Sequence, residues 1–402
     1  MKGELLERVR LRLAGSGAPT DPMALAEAVR AEAGRPVGHG EVLDALRVLR
    51  HEFTGVGPLE SLLSEGSTTD VLVTAPDEVW ADGPEGLRRT DIRFPDEEAV
   101  RRLAQRLALA AGRRLDDAQP YVDGWLPGSG PRGRVRLHAV LPPVAADGTC
   151  ISLRVLRPAV HDLETLRTLG TFDTAGAALV KAVVDTRLAF LVTGATGAGK
   201  STLLAAMLGA VAPQERIVSV EDAGELQPEH PQFVRLIARP PNIEGAGEIT
   251  LRDLVRQALR MRPDRLVVGE VRGREVCELL NALNTGHEGG ACTLHANSPS
   301  EVPARLEALA ALGGLSRDAL HSQLAAAVQV VLHMRRDGAG RRLAEIGVLT
   351  REDNGDVRVL PVWSNGSWTK RRVLLTSLLK GRGVRFCQGG LLQEAEGESC
   401  RT

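Results

Sequence analysis

Near the start of the chain apolar residues recur at helical spacing, as in "EVLDALRVLRHEF", which predicts a short helical lead-in segment over residues 1–50. From Gly55 the pattern shortens. "TDVLVTAP", "EVWADGP" and "LRRTDIRF" are brief strand-like runs divided by Gly, Pro and Asp, and the helical "DEEAVRRLAQRLALAAG" follows them. With the strand pair "RVRLHAVLPP" and "CISLRVLRP" they predict a small α+β domain over 51–158. Residues 159–173 join two compositional zones and predict a linker with a short helix. Beyond them "AFLVTG", "RIVSVED", "RLVVGEV", "ACTLHA" and "VQVVLHM" are apolar strand runs separated by helical stretches. That alternation predicts an α/β domain over 174–350, with a mostly parallel sheet and its ligand loops at the strand C-termini. Residues 351–402 predict a partly ordered extension, in which basic "TKRRVLLTSLLKGRGVRF" precedes acidic "QEAEGES" and reads as a surface tail.

Composition narrows the class. The chain has 402 residues, 43% of them apolar and 25% charged, as in a water-soluble globular protein of two domains. No apolar run approaches a membrane span, and the charged N-terminus is unlike a secretory signal, so a cytoplasmic location is expected. A net charge of −1 and 3% aromatic residues give no basic field or stacking platform, and no nucleic acid is expected as partner. The five cysteines are widely spaced without a C-x-x-C pair, so neither a disulfide framework nor a zinc site is indicated.

Of the 50 cationic residues only five are lysines, and one of these, Lys200, stands in "GATGAGKST". Gly194, Gly199, Lys200 and Ser201 fit a phosphate-binding loop, with Thr196, Gly197, Ala198 and Thr202 completing its backbone cradle. A strand before it and the helix "STLLAAMLGA" after it supply the required context. Lysine suits this position because it is a compact point charge on a flexible stem. Lys200 would reach the β- and γ-phosphates of ATP, and Ser201 would offer its hydroxyl to Mg²⁺. Two later strands end in acids: Glu221, Asp222 and Glu225 in "RIVSVEDAGEL", and Glu270 in "RLVVGEVRG". Carboxylates at such strand ends hold the Mg²⁺ shell and polarise the attacking water. His287 and His295 bracket the glycine pair of "NTGHEGGACTLHAN", a pattern suited to sensing a γ-phosphate. In "TLRDLVRQALRMRPDR", Thr250 and Asp253 form a capping box. Arg252, Arg256 and Arg260 fall off its apolar stripe, Arg260, Arg262 and Arg265 crowd the approach to the Glu270 strand, and at least one of these is expected to serve a subunit contact or a phosphate.

Together "GATGAGKST", "SVEDAGEL", "LRMRPDRLVVGEVRG" and "TGHEGGACTLHAN" resemble the Walker A, Asp, Walker B and His boxes of the secretion ATPase superfamily, whose members power type II and type IV secretion and type IV pili. "VRLIARPPNIEGAGEITLRDLVRQALRMRPDR" is most similar to the Tad/CpaF-type branch, which assembles Flp-type pili. "GVGPLESLLSEGSTTDVLV", "AGRRLDDAQPYVDGWLP" and "RLHAVLPPVAADGTCISLR" extend the likeness upstream, so that it spans about residues 50 to 350. The resemblance implies a RecA-like ATPase domain behind a PAS-like α+β domain, in a homo-hexamer that binds ATP and Mg²⁺ between domains. Such a ring would work at the inner face of the membrane on a platform protein.

By position, the resemblance makes Glu221 the water-activating base, Glu270 a support for Mg²⁺ or the water, Asp222 a further metal-side acid, and His287 and His295 sensors. The order of roles between Glu221 and Glu270 stays open. Arg136 and Arg154 match arginines that complete the site from the N-terminal domain, with Arg132 and Arg134 close enough for the assignment to slip. The glycine-rich "PGSGPRGR" before Arg136 departs from the family's turn. A conjugation or effector-secretion motor shares all these boxes. A DNA-translocating ATPase of the same core and a scaffold that has lost hydrolysis are more distant alternatives.

Overall fold

The computed structural model describes residues 22–33, 55–130, 133–156, 161–241, 245–338, 340–386 and 392–393. It divides into two units, Met1–Arg157 and Pro158–Thr402. Most of the expected helical lead-in, including "EVLDALRVLRHEF", lies outside the described residues, as do Arg132 and "EAEGES". Within the lead-in the described element is α1 (Pro22–Glu32).

The first unit is an antiparallel sheet covered on one face by a helix. After the short α2 (Glu60–Ser64) come β1 (Asp70–Ala75), β2 (Glu78–Asp82), β3 (Arg88–Arg89), α3 (Glu97–Ala110), β4 (Tyr121–Gly130), β5 (Gly133–Val140) and β6 (Cys150–Leu156). The six strands lie in the order β3-β2-β1-β6-β5-β4. Helix α3 starts where the Asp96 side chain accepts the Ala99 N–H. It buries Val100, Leu103, Ala104, Leu107 and Ala108, the stripe that a 3.6-residue period places on one face. Val71, Val73, Val79, Leu137, Ile151 and Leu153 meet that stripe in one core. The alternate strand positions form the other face, where the register sets Asp70 beside Arg154 and Arg154 beside Arg136.

The second unit is a three-layer α/β/α domain, RecA-like in its fold. Its elements are α4 (Leu163–Thr168), α5 (Thr174–Asp185), β7 (Phe190–Thr193), α6 (Lys200–Gly209), β8 (Ile217–Glu221), β9 (Phe233–Ile237), α7 (Leu251–Ala258), β10 (Arg265–Val268), α8 (Glu275–Asn284), β11 (Ala291–Leu294), α9 (Val302–Leu312), α10 (Arg317–Ala327), β12 (Val330–Asp337), β13 (Gly340–Arg351), β14 (Val357–Ser364), β15 (Ser367–Trp368) and α11 (Arg372–Gly381). The nine strands run β15-β14-β13-β12-β7-β11-β10-β8-β9. From β12 to β9 every pairing is parallel, and β13 to β15 add an antiparallel meander. Strands β7, β8, β10 and β11 are buried at every position because both faces are covered. Phe190 and Val192 pack with residues of α5, α6 and α11, while Leu191 packs with those of α7 to α10.

The expected domain end at residue 350 falls inside β13, and the sheet continues through β14 and β15. The basic segment expected as a surface tail forms α11, whose Leu375 and Leu379 are fully buried in the same core as Trp363. Its leucines recur at the helical interval of four, so the basic residues face water and the apolar edge is covered. Leu375→Ala and Leu379→Ala should each destabilise the domain by about 2–5 kcal/mol in chemical denaturation, the cost of a core cavity. A change under about 0.5 kcal/mol, as on an exposed surface, would show that α11 is not part of the core.

Candidate nucleotide site

The parallel strands bring the ends of β7, β8, β10 and β11 to one edge of the sheet, and the expected phosphate loop rises from the middle of that edge. Strand β7 ends at Thr193, whose buried hydroxyl lies 3.0 Å from Nδ1 of His333 on the neighbouring β12. Gly194 has φ +145°, and a Cβ there would stand 2.3 Å from the Met334 carbonyl oxygen, so only glycine lets the chain pass β12. The loop then turns through Gly197 and Gly199, both at positive φ, with Thr196 exposed and Ala198 buried. Gly199 caps α6 without a side-chain hydrogen bond. The first-turn N–H groups, at Lys200, Ser201 and Thr202, therefore have no side-chain cap competing with an anion.

Lys200 is 8% exposed. Its ammonium donates to the carbonyls of Gly194 (3.1 Å) and Ala195 (3.0 Å) and stands 3.4 Å from both ring nitrogens of His295. Burial pushes its pKa below the ordinary lysine value, and the charges of Glu270 and Glu225 oppose that shift. Ser201 Oγ donates to Glu225 Oε2 at 3.1 Å. Glu270, two residues past the end of β10, receives Arg272 Nε at 2.7 Å on Oε2. Its buried Oε1 lies 2.7 Å from His295 Nε2, off the line a hydrogen bond needs. Burial and the Lys200 charge hold His295 below the ordinary histidine pKa despite Glu270, so the ring is neutral at pH 7.

Glu221 closes the other side. It is 3% exposed, and its carboxylate accepts from Ser219 Oγ (3.1 Å) and from the Leu226 N–H (2.9 Å). Burial outweighs these bonds and raises its pKa. A Cβ at Gly269 would approach Glu221 Cγ to 2.7 Å, which explains glycine before the acid in "VVGEVRG". The Gly269 carbonyl accepts from Thr293 Oγ1 at 2.6 Å, tying β11 to the same edge.

Lys200, Ser201, Glu225, Glu270 and His295 are thus brought together, and Glu221 is held beside them. Asp222 is exposed on the loop after β8. His287 is not brought in: it precedes β11, at the opposite edge of the sheet, with Nδ1 3.2 Å from the Ala282 carbonyl. A parallel strand of four residues separates the two edges by about 13 Å. Arg265 also starts a strand at that far edge, 1% exposed, and is bound to Glu215 and the Val184 carbonyl as a structural ion pair. Arg252 and Arg256 both engage Glu278 of α8. The Glu270 clamp by Arg272 had a sequence signal in the short "GEVRG" spacing; the Thr193–His333 contact, 140 residues apart, had none.

In the first unit Arg136 and Arg154 are cross-strand partners. Asp123 accepts both Arg136 Nε (2.9 Å) and Nη2 (2.6 Å), and Asp70 accepts Arg154 Nε at 2.8 Å. Although burial opposes it, the Arg136 fork holds the Asp123 carboxyl below its ordinary value. Arg134 instead stacks on Trp125, 4.4 Å from the ring centroid.

Among the described residues no cluster of three or more His, Cys, Asp or Glu side chains makes a self-sufficient metal cage. The Ser201 hydroxyl with Glu225, and the buried Glu270 Oε1 lacking an aligned donor, are instead a sparse oxygen set beside a phosphate loop. That set fits Mg²⁺, which keeps waters and phosphate oxygens in its shell.

The fold and site define a RecA-like P-loop ATPase. The chain belongs to the family described as type II/IV secretion system protein, whose model matches residues 52–349. It is 70% identical over 329 residues to a Mycobacterium tuberculosis protein provisionally named as a conjugal transfer protein, covering 81% of this chain and 93% of the relative. It is 31% identical over 243 residues to the conjugal transfer protein TrbB of Rhizobium radiobacter, covering 60% of this chain and 71% of TrbB. Among solved structures, the pilus retraction motor PilT with bound ADP shares the fold at 20% identity and TM-score 0.52, covering 80% of this chain and 86% of PilT.

Gly269→Ala should displace Glu221 and lower ATP turnover while ADP binding survives, since the added methyl clashes with Glu221 and not with the loop. Equal turnover of mutant and wild type would show that the Glu221 position is irrelevant to hydrolysis. His295 and His333, both held below the ordinary histidine pKa by burial, take up fewer protons folded than unfolded. Their contribution to stability is present above about pH 6.5 and is lost as pH falls below it. Thermal unfolding between about pH 5 and 8 should show that loss, and His333→Gln should remove part of the slope.

Proposed function

We propose that this ATPase is a homo-hexameric motor on the inner face of the cell membrane, where hydrolysis drives a platform protein to assemble a Tad/Flp-type pilus or to secrete protein. The observation that carries the reading is the convergence of Lys200, Ser201, Glu225, Glu270 and His295 around the uncapped start of α6. Among the described residues no helix is long and apolar enough to cross a membrane, so attachment would be through a partner.

In this reading Lys200 exchanges its two carbonyl partners for the β- and γ-phosphates of ATP. Ser201, with Glu225, Glu270 and Asp222 on the same side, would hold Mg²⁺, which when bound neutralises phosphate charge. Glu221 takes the proton of a water that attacks the γ-phosphorus as the bond to the ADP oxygen breaks; its raised pKa favours accepting that proton. His295, between Lys200 and Glu270, registers loss of the γ-phosphate. His287, bound at the far edge, would act only through the loop it shares with β11. Arg136 and Arg154 would complete the site against the transferring phosphoryl, an effect worth orders of magnitude in rate.

A conjugation motor is the second reading, favoured by the name of the 70% identical relative. The two separate in the host: deletion of the gene should abolish surface filaments under the first and DNA transfer between cells under the second. Lys200→Ala and Glu221→Gln should each cut steady-state ATP hydrolysis by about 100-fold or more with the fold retained by circular dichroism. Specific activity should rise with protein concentration and fall in Arg136→Ala and Arg154→Ala. Activity indifferent to concentration and to both arginines would sink the shared-site ring.

A further inference from the structure

The hairpin joining β12 to β13 carries "RRDGAGRR" and lies against the phosphate loop. Its register sets Arg336 directly opposite Arg341, and Arg335 opposite Arg342. Arg342 has an acid of its own hairpin, Asp337, at 2.8 Å. The other pair does not. Arg341 Nε donates to the Gly197 carbonyl at 2.9 Å, and its Cδ is 3.2 Å from the place a Cβ would take on Gly199. Arg336 Nη1 is 3.6 Å from the corresponding place on Gly197. Among the described residues neither arginine has a carboxylate partner, and both are exposed.

Like charges directly opposed across two strands repel and destabilise the pair. Here two guanidinium groups without counter-charge are held over a loop whose backbone is arranged for an anion. An anionic ligand in the loop would relieve that repulsion. Arg341 uses Nε on the loop and keeps its terminal nitrogens for a second acceptor, which the fork of an arginine permits and a lysine does not. Gly197 sits at φ +72°, a conformation that glycine enters and leaves easily, so a carbonyl bond at that residue fixes the part of the cradle with the most freedom.

We propose that this hairpin is a further wall of the nucleotide site: Arg341 is a positioning residue that pins the phosphate loop through Gly197, and Arg336 is a ligand to the nucleotide phosphates. Both belong to the same unit as the loop, whereas Arg136 and Arg154, which the sequence resemblance assigns to the site, belong to the N-terminal domain. The inference rests on the loop being the ATP site.

The test uses the full-length protein and measures ADP and ATP binding by calorimetry, together with kcat and KM. Wild type, Arg336→Ala, Arg341→Ala, Arg341→Lys, Arg342→Ala and Lys200→Ala are compared. Arg336→Ala should weaken ADP and ATP by about tenfold and reduce the salt dependence of binding. Arg341→Ala should raise KM and lower kcat together, and Arg341→Lys, with charge but no fork, should not restore kcat. Arg342→Ala breaks only the hairpin's own ion pair and should lower Tm without altering affinity. Wild-type nucleotide affinity in Arg336→Ala and Arg341→Ala, with any change confined to Tm, would overturn the proposal while Lys200→Ala still loses hydrolysis. A Lys200→Ala protein that binds and hydrolyses ATP like wild type would remove the ATP reading of the loop, and the proposal with it.

Discussion

A buried positive charge governs the architecture of the second unit. Lys200 opens α6 behind the loop that follows β7, a strand buried at all four positions, and a lone ammonium in such a place is costly unless oxygen atoms surround it. The Gly194 and Ala195 carbonyls supply the nearest ones. Glu225 and Glu270 supply opposing charge from the segments after β8 and β10, which the parallel pairing of those strands brings to one edge. An antiparallel partner would point those loops to the other edge.

The close spacing of that edge explains the small residues around it. Gly194 clears the Met334 carbonyl and Gly269 clears Glu221, so two separate glycines each make room for one contact of the site. Glu221 can then be buried with both oxygens hydrogen-bonded, which fixes its direction, while its burial raises its proton affinity. His333 buttresses the end of β7 through Thr193, and Arg272 steadies Glu270. These are supports for residues that a nucleotide would meet, and each comes from a different strand or loop.

The first unit solves a related problem on a sheet surface. Arg136 and Arg154 are adjacent like charges, and the acids at the two flanks, Asp123 and Asp70, offset their repulsion. The result is a row in which an acid at each end anchors two adjacent guanidinium groups on one face, opposite the face that α3 covers. Fixed side chains of this kind lose less entropy on meeting an anion than free ones would.

Much of this was legible in the chain. The period-2 and period-3.6 patterns located the strands and the α3 stripe, the motif boxes marked the loop between β7 and α6 and the acids that follow β8 and β10, and the capping box at Thr250 and Asp253 formed as spelled. These are local signals, set by residues within one turn or one strand. What needed the tertiary structure was non-local: that α11 closes the core through Leu375 and Leu379, that His287 sits at the wrong edge for the site while His295 sits inside it, that Arg265 is a buried structural cation, and that Arg341 reaches a glycine 144 residues away. Sequence fixes which groups a strand carries, because period and motif are properties of neighbouring residues. The order and direction of strands in the sheet decide which groups meet, because that is settled only when distant segments bury their apolar faces together.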